Sequence, residues 1–293
     1  MALSIHTNYS SLVTQTNLSK TNNALGTNQQ RLGTGLRINS AADDAAGLQI
    51  ATRLNAQSRG MGVAMRNVND GVSLLQTAEG ALSEMTDIIQ RMKDLATQSA
   101  NDTNSQDDRD ALQAEYDELG KELYNIMENT KYAGETLFTA TATTGKFSAT
   151  TGVVLQIGSS TAETMTVQAD TEVGDLQTSL GTLSSAYSAA GTAGTEISAQ
   201  ADANTMIDTL SDALDDIGSL RAKFGANINR LNHTNNNLAN MKDNTEMAKG
   251  RIMDADFAAE SATMTKNSML LQSGISMLKQ AGQMPGMVMS LLG

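Results

Sequence analysis

Proline is almost absent from this chain, and its one occurrence, Pro285, leaves Ile5 to Asn129 and about Ala203 to Met284 without a helix breaker. A proline inside a helix costs about 3 kcal/mol and removes a backbone donor. Two uninterrupted stretches of this length therefore predict long helices towards both ends of the 293 residues. Residues 134–200 are different material, a Thr/Ser/Ala/Gly stretch with Lys146 as its one basic residue. Two helical arms flanking a small irregular head describe a rod more readily than a catalytic globule.

The apolar residues keep helical time. Met61, Met65, Val68, Val72, Leu75, Leu82, Met85, Ile89, Met92 and Leu95 follow heptad spacing, as expected of a long helix packed along one side. Leu112, Tyr116, Leu119, Leu123 and Ile126 continue the pattern in a second helix. Between them Asn101 to Gln106 is polar, and Ser105 with Asp108 makes a capping box that restarts the helix. Ile207, Leu210, Leu214, Ile217, Leu220, Phe224, Ile228, Leu231, Leu238 and Met241 give a third seam. Three such seams can bury one another as an antiparallel bundle, each residue contributing about 1.5–3 kcal/mol when fully buried.

The extreme ends are weaker. Leu18, Leu25 and Leu32 recur every seventh residue, but Thr, Asn and Ser fill the other seam positions. Ordering such an end costs about 1–2 kcal/mol per residue in backbone entropy, more than one leucine per heptad offsets. Both ends are therefore expected to be unfolded in the free monomer and to order against partners. In the middle, Val153–Ile157 and Thr164–Gln168 read as a strand pair, and Gly181–Gly194 as an exposed low-complexity loop.

The net charge of −12 is unevenly placed, since residues 1–42 and 261–293 contain no acid and residues 43–260 hold all 32. An acidic body repels phosphate, which argues against nucleic acid. The acid-free ends read as surfaces meant for burial, where an unpaired carboxylate is costly to desolvate. Without cysteine there are no disulfides, no thiol catalysis and no cysteine-ligated zinc. No run of eighteen apolar residues suits a membrane span, and no cleavable secretory signal is recognisable.

Catalytic chemistry finds little support. The two histidines, His6 and His233, lack an HExxH frame, and Gly33–Gly35 has no Gly-Lys-Ser/Thr after it. Asp43–Asp44 reads as helix-start chemistry, with Ser40 as N-cap and Asp43 its capping-box partner. Seven of the 17 methionines lie after residue 250, as expected of adaptable packing in an assembly interface. The chain is expected to be no enzyme and to need no metal or cofactor.

Longer motifs carry more. Gln30–Ala51 (QRLGTGLRINSAADDAAGLQIA), Arg66–Leu82 (RNVNDGVSLLQTAEGAL), Gln90–Asn101 (QRMKDLATQSAN), Arg251–Lys266 (RIMDADFAAESATMTK) and Gln280–Leu292 (QAGQMPGMVMSLL) strongly resemble bacterial flagellin. The likeness covers roughly residues 1–135 and 200–293, with the Leu155–Val167 hairpin similar to one in the flagellin rod. It implies a short form of a filament subunit. The fold is expected to be mainly α, a long antiparallel helical rod and coiled coil formed by both chain ends, with a small β-hairpin region in the middle. Residues 1–43 and 256–293 would form the terminal coiled-coil inner tube. Residues 44–175 and 196–255 would form a three-helix rod with the hairpin at about 153–168, and 176–195 a variable surface loop.

The resemblance also implies self-polymerisation for swimming motility, unfolded type III export without a cleavable signal peptide, and an extracellular place in the flagellum. Its expected partners are other copies, cap and hook-junction proteins, a C-terminal export chaperone and host immune receptors, with neither nucleic acid nor membrane. Leu18, Leu25, Leu32, Leu271, Ile275, Leu278, Leu291 and Leu292 are the expected polymerisation residues. By motif, toll-like receptors of vertebrates would contact Arg91, Leu95 and Glu115, although Leu95 also belongs to the seam. The plant immune epitope would use Gln30, Arg31, Leu32, Arg37, Ile38, Asn39, Ser40, Asp43, Asp44, Gly47 and Leu48, with Gly33 and Ala42 departing from the family pattern. A related hook–filament junction adaptor is the alternative, and the INSAADDAAG block with Leu291–Leu292 favours flagellin over it. A coiled-coil scaffold would not need weakly folding, acid-free ends.

Overall fold

A computed structural model describes residues 8–140 and 144–292, the side chains of 284, 285 and 287–292 excepted. The order is α1 (Tyr9–Thr34), α2 (Ala45–Ser99), α3 (Gln106–Asn129), β1 (Lys131–Tyr132), β2 (Glu135–Thr136), β3 (Val153–Gln156), β4 (Thr164–Val167), α4 (Asp170–Leu183), α5 (Gln200–Met253) and α6 (Phe257–Leu292). The fold is mainly helical with a small antiparallel hairpin region, as the periodicity implied. Two compact units emerge, Arg59–Lys242 and Met1–Ser58 with Asp243–Gly293. Their divisions, between Ser58 and Arg59 and between Lys242 and Asp243, fall inside α2 and α5.

In the unit Arg59–Lys242 the expected seams meet in one core. Val68, Leu75, Leu82, Met85, Ile89 and Met92 of α2 are fully buried with Tyr116 and Leu123 of α3 and Leu210, Ile217, Leu220 and Leu231 of α5. Met241 is the exception at 38% exposed. Phe138, Phe147 and Phe224 converge, the last two with ring centroids 4.7 Å apart. The Ser105–Asp108 capping box is present, with both reciprocal bonds made. Behind it the buried Arg109 donates to the Ser99 and Asn101 carbonyls. Those carbonyls close the C-terminal end of α2, where a cation suits the helix dipole.

β3 and β4 pair antiparallel from Val153↔Val167 to Gln156↔Thr164, and Met165 and Val167 point into the core. Asn67 of α2 donates to the Gln156 carbonyl at 3.1 Å, tying the hairpin to the helix. The expected loop at 176–195 is corrected in its first half. α4 runs to Leu183 and buries Val173, Leu176, Leu180 and Leu183, a 3-4-3 spacing obscured by the surrounding Thr, Ser and Gly. The segment after α4 is irregular yet anchored. Tyr187 meets the Tyr124 ring edge-on at 5.6 Å, and Gln113 of α3 accepts from the Ile197 amide while donating to Asp117 and Glu196. The small β1–β2 hairpin is an addition, turning through Ala133 and Gly134 at positive φ.

In the unit Met1–Ser58 with Asp243–Gly293, α1 and α6 pack antiparallel. Asn267 Nδ2 donates to Asn28 Oδ1 at 2.9 Å, and Arg31 pairs with Glu260 at 3.3 Å. Leu18, Leu25 and Leu32 are half-buried, alternating with Thr14, Thr21 and Asn28 along the inward face. Only Asn28 of α1 is buried among the described residues. This thin, partly polar seam contrasts with the apolar, largely buried one of α2. In the isolated full chain, hydrogen exchange read peptide by peptide is expected to leave α1 and α6 unprotected while the cores of α2, α3 and α5 exchange slowly. Protected α1 and α6 in a verified monomer would contradict this.

The Asp108 carboxylate is held below its usual value of 3.8 by the Ser105 hydroxyl and then the Ser105 amide. With the folded pKa depressed, the cap stabilises above the unfolded value and is lost as pH falls through the folded one. Its carboxyl carbon, followed by NMR, should titrate with a midpoint under 3.8. Ser105→Ala should move that midpoint upwards.

Candidate functional site

The motif-bearing segments between α1 and α2 and between α5 and α6 meet in space. Helix α1 ends in Gly35 at φ 73, whose N–H returns to the Arg31 carbonyl. That left-handed position admits glycine without steric cost. Immediately after it the backbone pairs with the other crossing. The Ala255 N–H donates to the Gly35 carbonyl at 2.9 Å, and the Arg37 N–H to the Met253 carbonyl at 2.6 Å. Leu36 and Asp254 face each other in this short antiparallel bridge. Arg37 then reaches the Ile252 carbonyl through Nη2 at 2.8 Å.

Ahead of α2 the chain makes a tight turn. Asp43 Oδ2 accepts from the Ser40 amide at 2.8 Å, the Asn39 amide at 3.1 Å and the Ser40 hydroxyl at 3.0 Å. These bonds, the Ser40 amide first, hold the Asp43 carboxyl below the usual carboxylate value. Ser40 is therefore not the N-cap of α2, a correction to the sequence reading. Asp43 has turned back onto Ser40, so helical geometry starts only at Ala45, and Asp44 Oδ1 takes the Gly47 amide at 2.8 Å instead. A Cβ on Gly47 would lie 2.5 Å from Asp44 Oδ2 and 2.8 Å from Ile38 Cδ1, so a larger residue here would displace the capping carboxylate and the Ile38 side chain. Asp256 caps α6 in the same manner, accepting from the Ala258 and Ala259 amides.

The residues expected in the plant epitope thus have unequal access. Ile38 and Gly47 are buried, and Arg31, Leu32, Asn39 and Leu48 are half-buried. Gln30, Arg37, Ser40, Asp43 and Asp44 are exposed. Among the expected receptor contacts, Arg91 Nε and Nη2 both donate to Glu115 Oε1, at 2.9 and 2.6 Å. The two side chains are about half exposed and form one presented pair across α2 and α3. Leu95 is only 1% exposed and belongs to the core, which corrects its place among surface contacts. The seam spacing that fills the core also removes it from the surface.

Of the expected polymerisation residues, Leu18, Leu25, Leu32, Leu271 and Leu278 are half-buried in the α1–α6 seam, and Ile275 is 39% exposed. The side chains of Leu291 and Leu292 lie outside those described. A further set of apolar residues, exposed on the same two helices, escaped the leucine count. Leu12 and Val13 of α1 and Met269, Leu270 and Met277 of α6 are exposed apolar residues. Their signal was present in the unusual number of apolar residues next to the seam positions of α6. Among the described residues no group of three or more His, Asp or Glu is placed to hold a metal ion, and no helix is long and apolar enough to cross a membrane.

Long helices, an interlocked pair of helix crossings and exposed apolar end helices define a helical structural protein. Residues 5–143 match the bacterial flagellin N-terminal helical region, and 207–292 the bacterial flagellin C-terminal helical region. The chain is 36% identical to flagellin A of Vibrio anguillarum and 35% to flagellin D of Vibrio cholerae serotype O1, with 100% of each chain covered. These alignments run over 378 and 377 positions against 293 residues here, so both relatives carry residues that this chain lacks. A flagellar hook-associated protein from Vibrio parahaemolyticus shares the fold at a TM-score of 0.54 and 15% identity, over 72% of this chain and 100% of that one. The chain belongs to the bacterial flagellin family, structural subunits of the flagellar filament.

Proposed function

We propose that this chain polymerises with its own copies through α1 and α6 to build the filament used for swimming. The observation that carries the reading is the exposure of Leu12, Val13, Met269, Leu270 and Met277, on end segments 1–42 and 261–293 that hold no acid. Apolar side chains gain about 25 cal/mol per Å² when covered, and no carboxylate opposes their burial. Cap and hook-junction proteins and an export chaperone for α6 are the further partners of this reading. Its location in this reading is extracellular, in the flagellar filament. Purified full chain, incubated with short flagellar seeds and a mild precipitant, should grow long helical tubes in electron micrographs. Stubs that stop after one layer would instead favour a hook–filament junction adaptor.

The presented Arg91–Glu115 pair is proposed as the contact for toll-like receptors, with Leu95 supporting it from the core. An exposed ion pair contributes at most about 1 kcal/mol to stability, so Arg91→Ala should leave the fold intact. It should lower receptor-reporter activation about tenfold, the size of a modest interface hot spot. Unchanged activation would remove Arg91 from the proposal. The segment 30–51 is proposed as a plant immune epitope once released from the fold, because Ile38 and Arg31 are engaged within it.

A further inference from the structure

The one proline of the chain lies inside α6, and the helix continues through it to Leu292. An α-helical carbonyl accepts from the amide four residues on, so Pro285 leaves the Ala281 carbonyl without its helical donor. Ala281 is 6% exposed, the buried position of α6 among the described residues, and an unsatisfied carbonyl there is costly. The structure supplies a substitute from the opposite end of the chain. Asn8 Nδ2 donates to the Ala281 carbonyl at 2.6 Å. The same side chain caps α1, its Oδ1 accepting from the Ser11 amide at 3.1 Å. The two bonds settle the amide's orientation, since only nitrogen can donate to a carbonyl and only oxygen can accept from an N–H.

We propose that Asn8 is a latch that completes the start of α1 and the proline-bearing turn of α6 with one side chain, so that the two ends of the chain order together. The bond to the Ala281 carbonyl exists only with α6 in register, whereas the cap to Ser11 is local to α1, so the register-dependent bond is added to a side chain that the cap already holds in place. Asn28 against Asn267 and Arg31 against Glu260 fall on the same antiparallel register further along the pair. A slip of α6 by one turn would separate Asn8 from the carbonyl that needs it, whereas the leucines of the seam would find similar partners. The consequence, that a subunit joins an assembly with both ends or with neither, rests on the filament reading above. The latch itself does not.

The test is a cycle in the full chain: wild type, Asn8→Asp, Pro285→Ala and the double variant. Aspartate keeps the cap oxygen, which helix N-termini favour as much as asparagine, and replaces the donor with an acceptor-only oxygen, which must turn away from the Ala281 carbonyl. Alanine at 285 restores the amide that Ala281 lacks. Hydrogen exchange of peptides covering 279–289 is read both in sedimented assemblies and in soluble chain ordered with trimethylamine oxide, which strengthens burial. Asn8→Asp should lower protection about tenfold when Pro285 is present, and by less than about twofold when it is alanine. An equal loss in both backgrounds, or none in either, would overturn the latch. So would a wild-type chain whose α6 is unprotected in both preparations. Failure of the wild type to assemble, with the cycle intact in the soluble arm, would overturn the filament reading and leave the latch standing.

Discussion

Burial of the α2 seam is the interaction on which the rest of the larger unit depends. Val68, Leu75, Leu82 and Ile89 are wholly excluded from water, and α3, α4, α5 and both strands of the longer hairpin place side chains in the same core. With each such residue contributing about 1.5–3 kcal/mol, the core tolerates an irregular segment after α4 and an exposed Arg91–Glu115 pair. That surface can vary because it carries little of the stability.

The end helices obey the same heptad rule with different materials. In α1 the inward face alternates leucine with Thr14, Thr21 and Asn28, and in α6 it includes Asn267 and Gly274. Polar seam residues sacrifice burial and gain register, the best-attested use of a buried asparagine between helices. Such a pair is weak alone and specific once formed. Exposed Leu12, Val13, Met269 and Leu270 on the same helices leave much of their apolar surface uncovered in a single chain. Weak intramolecular burial combined with strong apolar exposure suits a segment that completes itself against further copies.

Within the unit of the end helices, Gly35–Arg37 forms a bridge to Met253–Ala255. It joins two of the motifs that resemble a known family, and explains their composition physically. Gly35 reverses the chain, Asp43 stitches the turn, Asp44 and Asp256 start the following helices, and Gly47 leaves room for Ile38.

The amino-acid sequence by itself determined the long helices, the three apolar seams, the Ser105–Asp108 box, the β3–β4 hairpin and the family. These are local properties, written in spacings of two, three, four and seven residues or in contiguous motifs. It held the period of α4 too, but Val173, Leu176, Leu180 and Leu183 were diluted by small polar neighbours. Only the tertiary structure decided which motif residues face water. Leu95 and Ile38 look like surface determinants in a motif and are core in space, while Arg91 and Glu115 become one feature because two helices bring them together. It also decided that Asn8 serves the Ala281 carbonyl, and that Asp44, not Ser40, opens α2. The first pairing spans nearly the whole chain, and the second turns on which way one carboxylate folds back. Hydrogen bonds of this kind depend on where backbones arrive, which no hydrophobic period encodes.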